Sequence, residues 1–145
     1  MRKAFTLIEL LIVMAVIAVL IGIAIPSFRG MQDEAKRAKA GGDLRVLKLA
    51  LEAYQAKHDT YPTSLPSLEV EGTVVQKLPT DPFGTAYNFA LCTGANPQYY
   101  AIWSVGANGT SNTTSISTAG VITDAAESDD IGTTNGTPSV NGTWR

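Results

Sequence analysis

Sixteen consecutive residues, Leu10 to Ile25, read LLIVMAVIAVLIGIAI and carry no polar side chain; Pro26 follows them. An α-helix from Phe5 to Ile25 would be about 32 Å long at about 1.5 Å per residue, which matches a bilayer hydrocarbon core of about 30 Å. Arg2 and Lys3 precede the run, so the positive-inside rule keeps the N-terminus in the cytoplasm and places the remainder outside. A removable secretory signal is the rival reading. The run exceeds the usual signal core of about 7–15 residues, and Ile25-Pro26-Ser27-Phe28 lacks a small-x-small cleavage pattern. The segment reads as a retained anchor.

The chain has 145 residues, which leaves a soluble head of about 120, near the size that holds a core unaided. Formal charge is −2, and no Lys/Arg cluster is large enough for a nucleic-acid footprint. One cysteine, Cys92, excludes an internal disulfide, and with one histidine leaves little for a zinc site. Cys92 reads as a buried free thiol. No P-loop, HExxH or nucleophile elbow is present, and His58 falls where a helix C-terminus would favour a cation. The pattern is that of a structural protein, not an enzyme.

Glu9 interrupts the logic of the apolar segment. A carboxylate at the centre of a bilayer costs about 2.5–3.5 kcal/mol, and less toward the interface. Thr6-Leu7-Ile8-Glu9 fits the capping-box pattern, in which Thr and Glu satisfy each other's backbone N–H groups. A second reading has Glu9 awaiting a cation from another subunit. The two are compatible.

The segment RKAFTLIELLIVMAVIAVLIGIAIPSF resembles the class III signal of type IV pilins and type II secretion pseudopilins. The resemblance implies that a prepilin peptidase cuts between Ala4 and Phe5, that Phe5 becomes N-methylated, and that Glu9 is the glutamate used in assembly. Ala4 departs from the Gly usual before the cut, but it is also small. Removing Met1 to Ala4 takes away two positive charges and moves the formal charge from −2 to −4.

Beyond the anchor, Ala35, Ala38, Leu44, Leu47, Leu51 and Tyr54 recur at three- and four-residue steps, which predicts an amphipathic helix over 27–58. Gly41-Gly42 weakens its middle, and Asp43 reads as a fresh N-cap for the second half. Thr60-Tyr61-Pro62 ends it. Residues 63–80 read as a loop with one β-prone triplet, Thr73-Val74-Val75, and Asp81-Pro82-Phe83-Gly84 fits a type I turn. Strands are expected at Ala86–Leu91 and Gln98–Ser104, joined through Thr93 to Pro97, with a third at Gly120–Thr123. Four N-x-Thr sequons, at Asn108, Asn112, Asn135 and Asn141, read as polar turns. The fold class is α+β: a long N-terminal helix, membrane-spanning in its first half, packed on a small antiparallel sheet.

The head carries a narrower likeness. Asp59-Thr60-Tyr61-Pro62-Thr63, Leu78 to Tyr87, Tyr100 to Gly109 and Ser128-Asp129-Asp130-Ile131 are similar, in order, to the major pseudopilin of type II secretion systems. A pilin-like fold is implied, with a leader (1–4), a transmembrane and fibre-core helix (5–25) and a periplasmic head with a C-terminal loop (26–145). Also implied are self-assembly through the N-terminal helices and contact with inner-membrane secretion machinery and minor pseudopilins. The resulting periplasmic fibre would help move folded proteins across the outer membrane. A surface type IV pilus subunit for adhesion or motility is the alternative in the same fold, and a monomeric membrane-anchored binding module is the alternative outside it. No cofactor is required. Calcium is the one candidate ion, since the family pins the equivalent loop with it; Asn108, Ser128, Asp129 and Asp130 occupy the matching positions, with Glu127 beside them. A solvated acidic turn is the competing reading, and Asn108-Gly109 replaces the family's usual Asp-Gly.

Overall fold

In the computed structural model, residues 5–71, 75–84, 86–92, 98–124, 128–137 and 143–144 are described. Ala4, Thr73-Val74, the 93–97 connection, Glu127 and Asn141 lie outside them. The backbone divides into two compact units, 1–35 and 36–145. One helix, α1 (Leu7–His58), contributes to both and runs unbroken through Pro26 and through Gly41-Gly42. Within the first unit every described side chain of 5–35 except that of Ala24 is solvent-exposed. The run is long and apolar enough to cross a membrane.

The second unit is built on the amphipathic part of α1. Ala40, Leu44, Leu47 and Leu51 recur at helical spacing and are buried, joined by Ala50. Ala35 and Ala38, expected in this stripe, are exposed instead. The steps from Ala40 keep one face, whereas those from Ala35 and Ala38 drift to the opposite one. Asp43 is not an N-cap, because the helix never breaks there; its Oδ2 accepts a hydrogen bond from the Tyr87 hydroxyl at 3.0 Å. The helix ends with Asp59 in the left-handed region at φ 56°, its N–H donating to the Gln55 carbonyl. A short helix, α2 (Ser67–Glu71), follows and adds Leu68 to the core.

Four strands form the main sheet: β1 (Asn88–Leu91), β2 (Tyr100–Ser104), β5 (Ile131–Thr134) and β6 (Thr143–Trp144), in the order β1-β2-β5-β6. The β1–β2 and β2–β5 pairs are antiparallel, with Phe89 opposite Ile102 and Ser104 opposite Ile131. The edge pair β5–β6 is parallel and two residues long, so the sheet is antiparallel except at that edge. A second sheet pairs β3 (Thr113–Ile116) with β4 (Ile122–Asp124). The expected third strand at Gly120–Thr123 is β4, entered through Gly120 at φ 75°.

Strand β2 is buried along its whole length because both of its faces are covered. Tyr100 and Ile102 join the α1 cluster, while Ala101 and Trp103 join Cys92, Ile116 and Ile122 on the other side. Cys92 is a buried free thiol whose sulfur accepts the Tyr99 N–H at 3.4 Å. The Asp81 turn forms as its sequence requires: Gly84 N–H donates to the Asp81 carbonyl at 2.9 Å, and Asp81 Oδ1 accepts the Phe83 N–H at 3.0 Å.

Glycine placement separates tolerance from necessity. A Cβ at Gly41 or Gly42 would meet no atom within 4 Å, whereas one at Gly132 would collide with the Trp144 ring. Gly42→Ala should therefore raise unfolding free energy by about 0.5–1 kcal/mol, and Gly132→Ala should lower it. Denaturant unfolding of the full chain in detergent measures both; a destabilised Gly42→Ala would show that the glycine is needed in the helix.

Candidate functional site

Two regions hold residues whose placement exceeds what packing needs. At the start of α1, Glu9 Oε2 accepts both the Thr6 N–H at 2.9 Å and the Thr6 hydroxyl at 2.8 Å. The Glu9 N–H donates back to Thr6 Oγ1 at 3.3 Å, so the capping box is complete. Phe5 beside it is 85% exposed, and Leu7, Ile8 and Leu10 stand open around the carboxylate. Ala4 lies outside the described residues. An exposed apolar surface of this extent marks a membrane or protein contact.

Sequence reasoning missed a second apolar surface further along α1, within the second unit. Ala38, Gly42, Val46, Leu49 and Ala56 are exposed and Ala53 is half-buried. Three- and four-residue steps connect them, about half a turn away from the core ladder of Ala40, Leu44, Leu47 and Leu51. No charged residue interrupts this stripe. Its signal was present in the period, but one apolar ladder hid the other.

The acidic loop is the other region. Gly106 has φ 67°, and a Cβ there would collide with the Asp129 backbone carbonyl, so the 106–109 turn lies directly against Asp129. Asp129 Oδ2 accepts the Asn108 N–H at 3.0 Å and stands 3.8 Å from Arg37 Nη2 of α1. Asp130 is fully buried, and its Oδ2 accepts the N–H groups of Asn112 and Thr113 at 3.0 and 2.8 Å and the Thr113 hydroxyl at 2.7 Å. That same hydroxyl lies 2.7 Å from Asp124 Oδ1, although its one hydrogen serves only one carboxylate at a time. Asp124 Oδ2 in turn accepts the Trp144 indole N–H at 2.9 Å. Burial raises the Asp130 carboxyl above the usual carboxylate range; the Thr113 and Asn112 donors pull it down, and Asp124 pushes it further up.

The structure sets Asn108 against Asp129, with Ser128 and Asp130 beside it in the same segment, although β3 and β4 separate the two in sequence. The Asn108 amide is committed to Thr110 N–H and Asn112 Oδ1, and Ser128 Oγ accepts the Asp130 N–H at 3.3 Å. Among the described residues, Asp129 Oδ1 and Asp130 Oδ1 are buried with no hydrogen-bond partner. Two such carboxylate oxygens suit a hard cation, and calcium takes oxygen ligands of this kind. Among the described residues no group of three or more His, Cys, Asp or Glu side chains gathers at metal-binding range, so further ligands would be backbone carbonyls.

Comparison with known proteins gives two matches to family models. Residues 27–121 match "Type II secretion system (T2SS), protein G", and residues 1–25 match the prokaryotic N-terminal methylation motif. The type II secretion system core protein G of Klebsiella pneumoniae is 32% identical over 123 residues, covering 74% of this chain and 86% of that protein. The Pseudomonas aeruginosa protein of the same name is 27% identical over 123 residues, covering 74% and 85%. That of Vibrio cholerae is 30% identical over 105 residues, covering 61% and 72%.

The hydrogen-bond geometry ranks the two loop aspartates. Asp130→Ala strands the Asn112 and Thr113 N–H groups, leaving the Thr113 hydroxyl to Asp124, at an expected cost of about 2–4 kcal/mol. Asp129→Ala removes partly exposed contacts and should cost under about 1 kcal/mol when no cation is present. Chelator-treated full-chain protein in denaturant titrations gives both values. Equal losses at the two positions would contradict the ranking.

Proposed function

The chain belongs to the type II secretion system protein G family, and on that premise we propose that it is a pseudopilin. It is a structural subunit, stored in the inner membrane, of a fibre that helps move folded proteins across the outer membrane. The observation that carries this is the start of α1, apolar from Leu7 to Ile25 apart from Glu9 and exposed there except at Ala24, with that one carboxylate held, among the described residues, by its own cap. The protein G match over the head favours the secretion fibre over a surface pilus. The extended apolar surface favours assembly over a monomeric binding module.

A prepilin peptidase removes Met1 to Ala4, and Phe5 is methylated; the match of residues 1–25 to the N-terminal methylation motif supports this. The head then lies in the periplasm, with the apolar segment in the inner membrane. In a fibre, helices stack with an axial stagger, so a neighbour's Phe5 amine comes within reach of Glu9. Scarce water strengthens that attraction, while desolvation of both ions offsets part of it. The net gain is modest. The register is sharp, because an unpaired charge in an apolar core is the alternative. The stripe of Ala38, Gly42, Val46 and Leu49 gives α1 a further apolar surface within the head.

Glu9→Ala, with cleavage verified by intact mass, should give a stable membrane protein that assembles poorly and supports little secretion. Glu9→Asp should be intermediate, since its carboxylate remains but reaches less far. Crosslinking of cysteines placed on adjacent N-terminal helices reads assembly directly. Fibres and secretion at the parent level in the Ala variant would reduce Glu9 to a helix cap.

The acidic loop supports a second element of this reading: Asp129 and Asp130, beside Asn108 and Ser128, hold a calcium ion. Their buried, unpartnered oxygens are the supporting observation. Calcium at a hundredfold excess over Kd would stabilise the fold by about 2.7 kcal/mol. The full chain in detergent should therefore melt measurably lower with chelator than with calcium. Identical melting temperatures would leave the loop an ion-free junction in which Asp130 serves only its protein donors.

A further inference from the structure

We propose that Arg37 lowers the calcium affinity of the acidic loop through the positive charge that it holds beside Asp129. The inference rests on the calcium reading of Asp129 and Asp130. Arg37 sits on α1, and its Nη2 is 3.8 Å from Asp129 Oδ2. The two side chains are 36% and 23% exposed, the contact is single and long, and the guanidinium does not engage both carboxylate oxygens. Such a pair is weak.

A structural arginine would be bound differently. Asp129 already receives the Asn108 N–H on Oδ2, while its Oδ1 is buried without a hydrogen-bond partner among the described residues. Arg37 therefore balances charge at the outer oxygen and leaves the inner one unserved. A divalent cation on the inner oxygen would lie within a few ångströms of the guanidinium, and the two positive charges would oppose each other. The neighbouring cation is directed elsewhere, since Lys36 Nζ lies 5.7 Å from the Phe83 ring centroid, over the turn that begins at Asp81. Consecutive residues of α1 thus contact two separate loops of the head, and Arg37 is the one that reaches the carboxylates.

The arrangement gives the loop two states. Without calcium, Arg37 alone balances the Asp129 charge from α1; with calcium, one carboxylate stands between two cations. Part of the binding free energy goes against that repulsion, so the arginine lowers affinity while stabilising the empty loop.

Calcium titrations by calorimetry on the full mature chain in detergent, with Arg37→Gln and with Lys39→Gln as a control of equal charge loss, test this. Arg37→Gln should bind calcium about two- to fivefold more tightly, the range of a partly exposed ion pair, and should melt lower than the parent in chelator. Lys39→Gln should bind like the parent. Unchanged or weaker binding by Arg37→Gln would overturn the role of Arg37 while leaving calcium in the loop. Equal tightening by both variants would also overturn it, as a general charge effect. No heat from either the parent or Arg37→Gln would remove calcium from the loop, and this inference with it.

Discussion

Burial of one face of α1 is the constraint on which the head depends. Ala40, Leu44, Leu47 and Leu51 meet Tyr100 and Ile102 of the central strand in one cluster, and Leu65, Leu68, Val75 and Tyr87 close around it. Ala40 and Ala50 are buried in the same cluster as the leucines. Because the helix supplies this whole face, the sheet can stay narrow. A four-stranded sheet with a two-residue edge strand would be marginal alone. Packed on one long helix, and covered behind by β3 and β4, it becomes the middle layer of a core.

The covering sheet packs on β2 through Ile116 and Ile122, and one carboxylate ties its start to the main sheet. Asp130 precedes β5 in the main sheet, yet its Oδ2 gathers the first N–H groups and the hydroxyl of β3. Asp124, at the end of β4, binds the same hydroxyl and the Trp144 indole, and that ring lies on Gly132 of β5. The loop is therefore a junction between two sheets, whether or not it holds an ion. That explains how a buried aspartate can be retained with a raised proton affinity: its desolvation is met by three donors from a separate element.

Legibility in the sequence followed the strength of periodic signals. The apolar run, the long amphipathic helix, the Asp81 turn and the aromatic-rich strands β1 and β2 were readable because each has a local rule. Strands β3, β5 and β6 were not, since Thr113-Thr114-Ser115-Ile116 and Ile131-Gly132-Thr133-Thr134 have the composition of a polar loop. They are strands because Asp130 and Trp144, distant in sequence, complete their pairing and packing. Gly41-Gly42 misled in the other direction: a local propensity penalty suggested a break, and buried Ala40 and Leu44 on either side hold the helix through it. The sequence alone marked Asp129 and Asp130 as a pair. Only the fold separates them into a buried structural acceptor and a half-exposed partner of Arg37.

In the proposed fibre, Glu9 would serve two stages of a subunit's life. In the single chain both Thr6 donations land on Oε2, so the cap uses one carboxylate oxygen and leaves Oε1 outside it. A carboxylate that accepts through one oxygen keeps lone pairs on the other for an incoming cation. Cleavage before Phe5 would create a terminal amine one residue from the cap, where every subunit carries both a donor and an acceptor of charge. Repetition of that pair along a stagger is heterologous, head-to-tail association, which propagates into a filament instead of closing into a dimer. On the proposed assembly, the cap would keep the helix start formed in the single chain, and the second oxygen would receive the next subunit's amine.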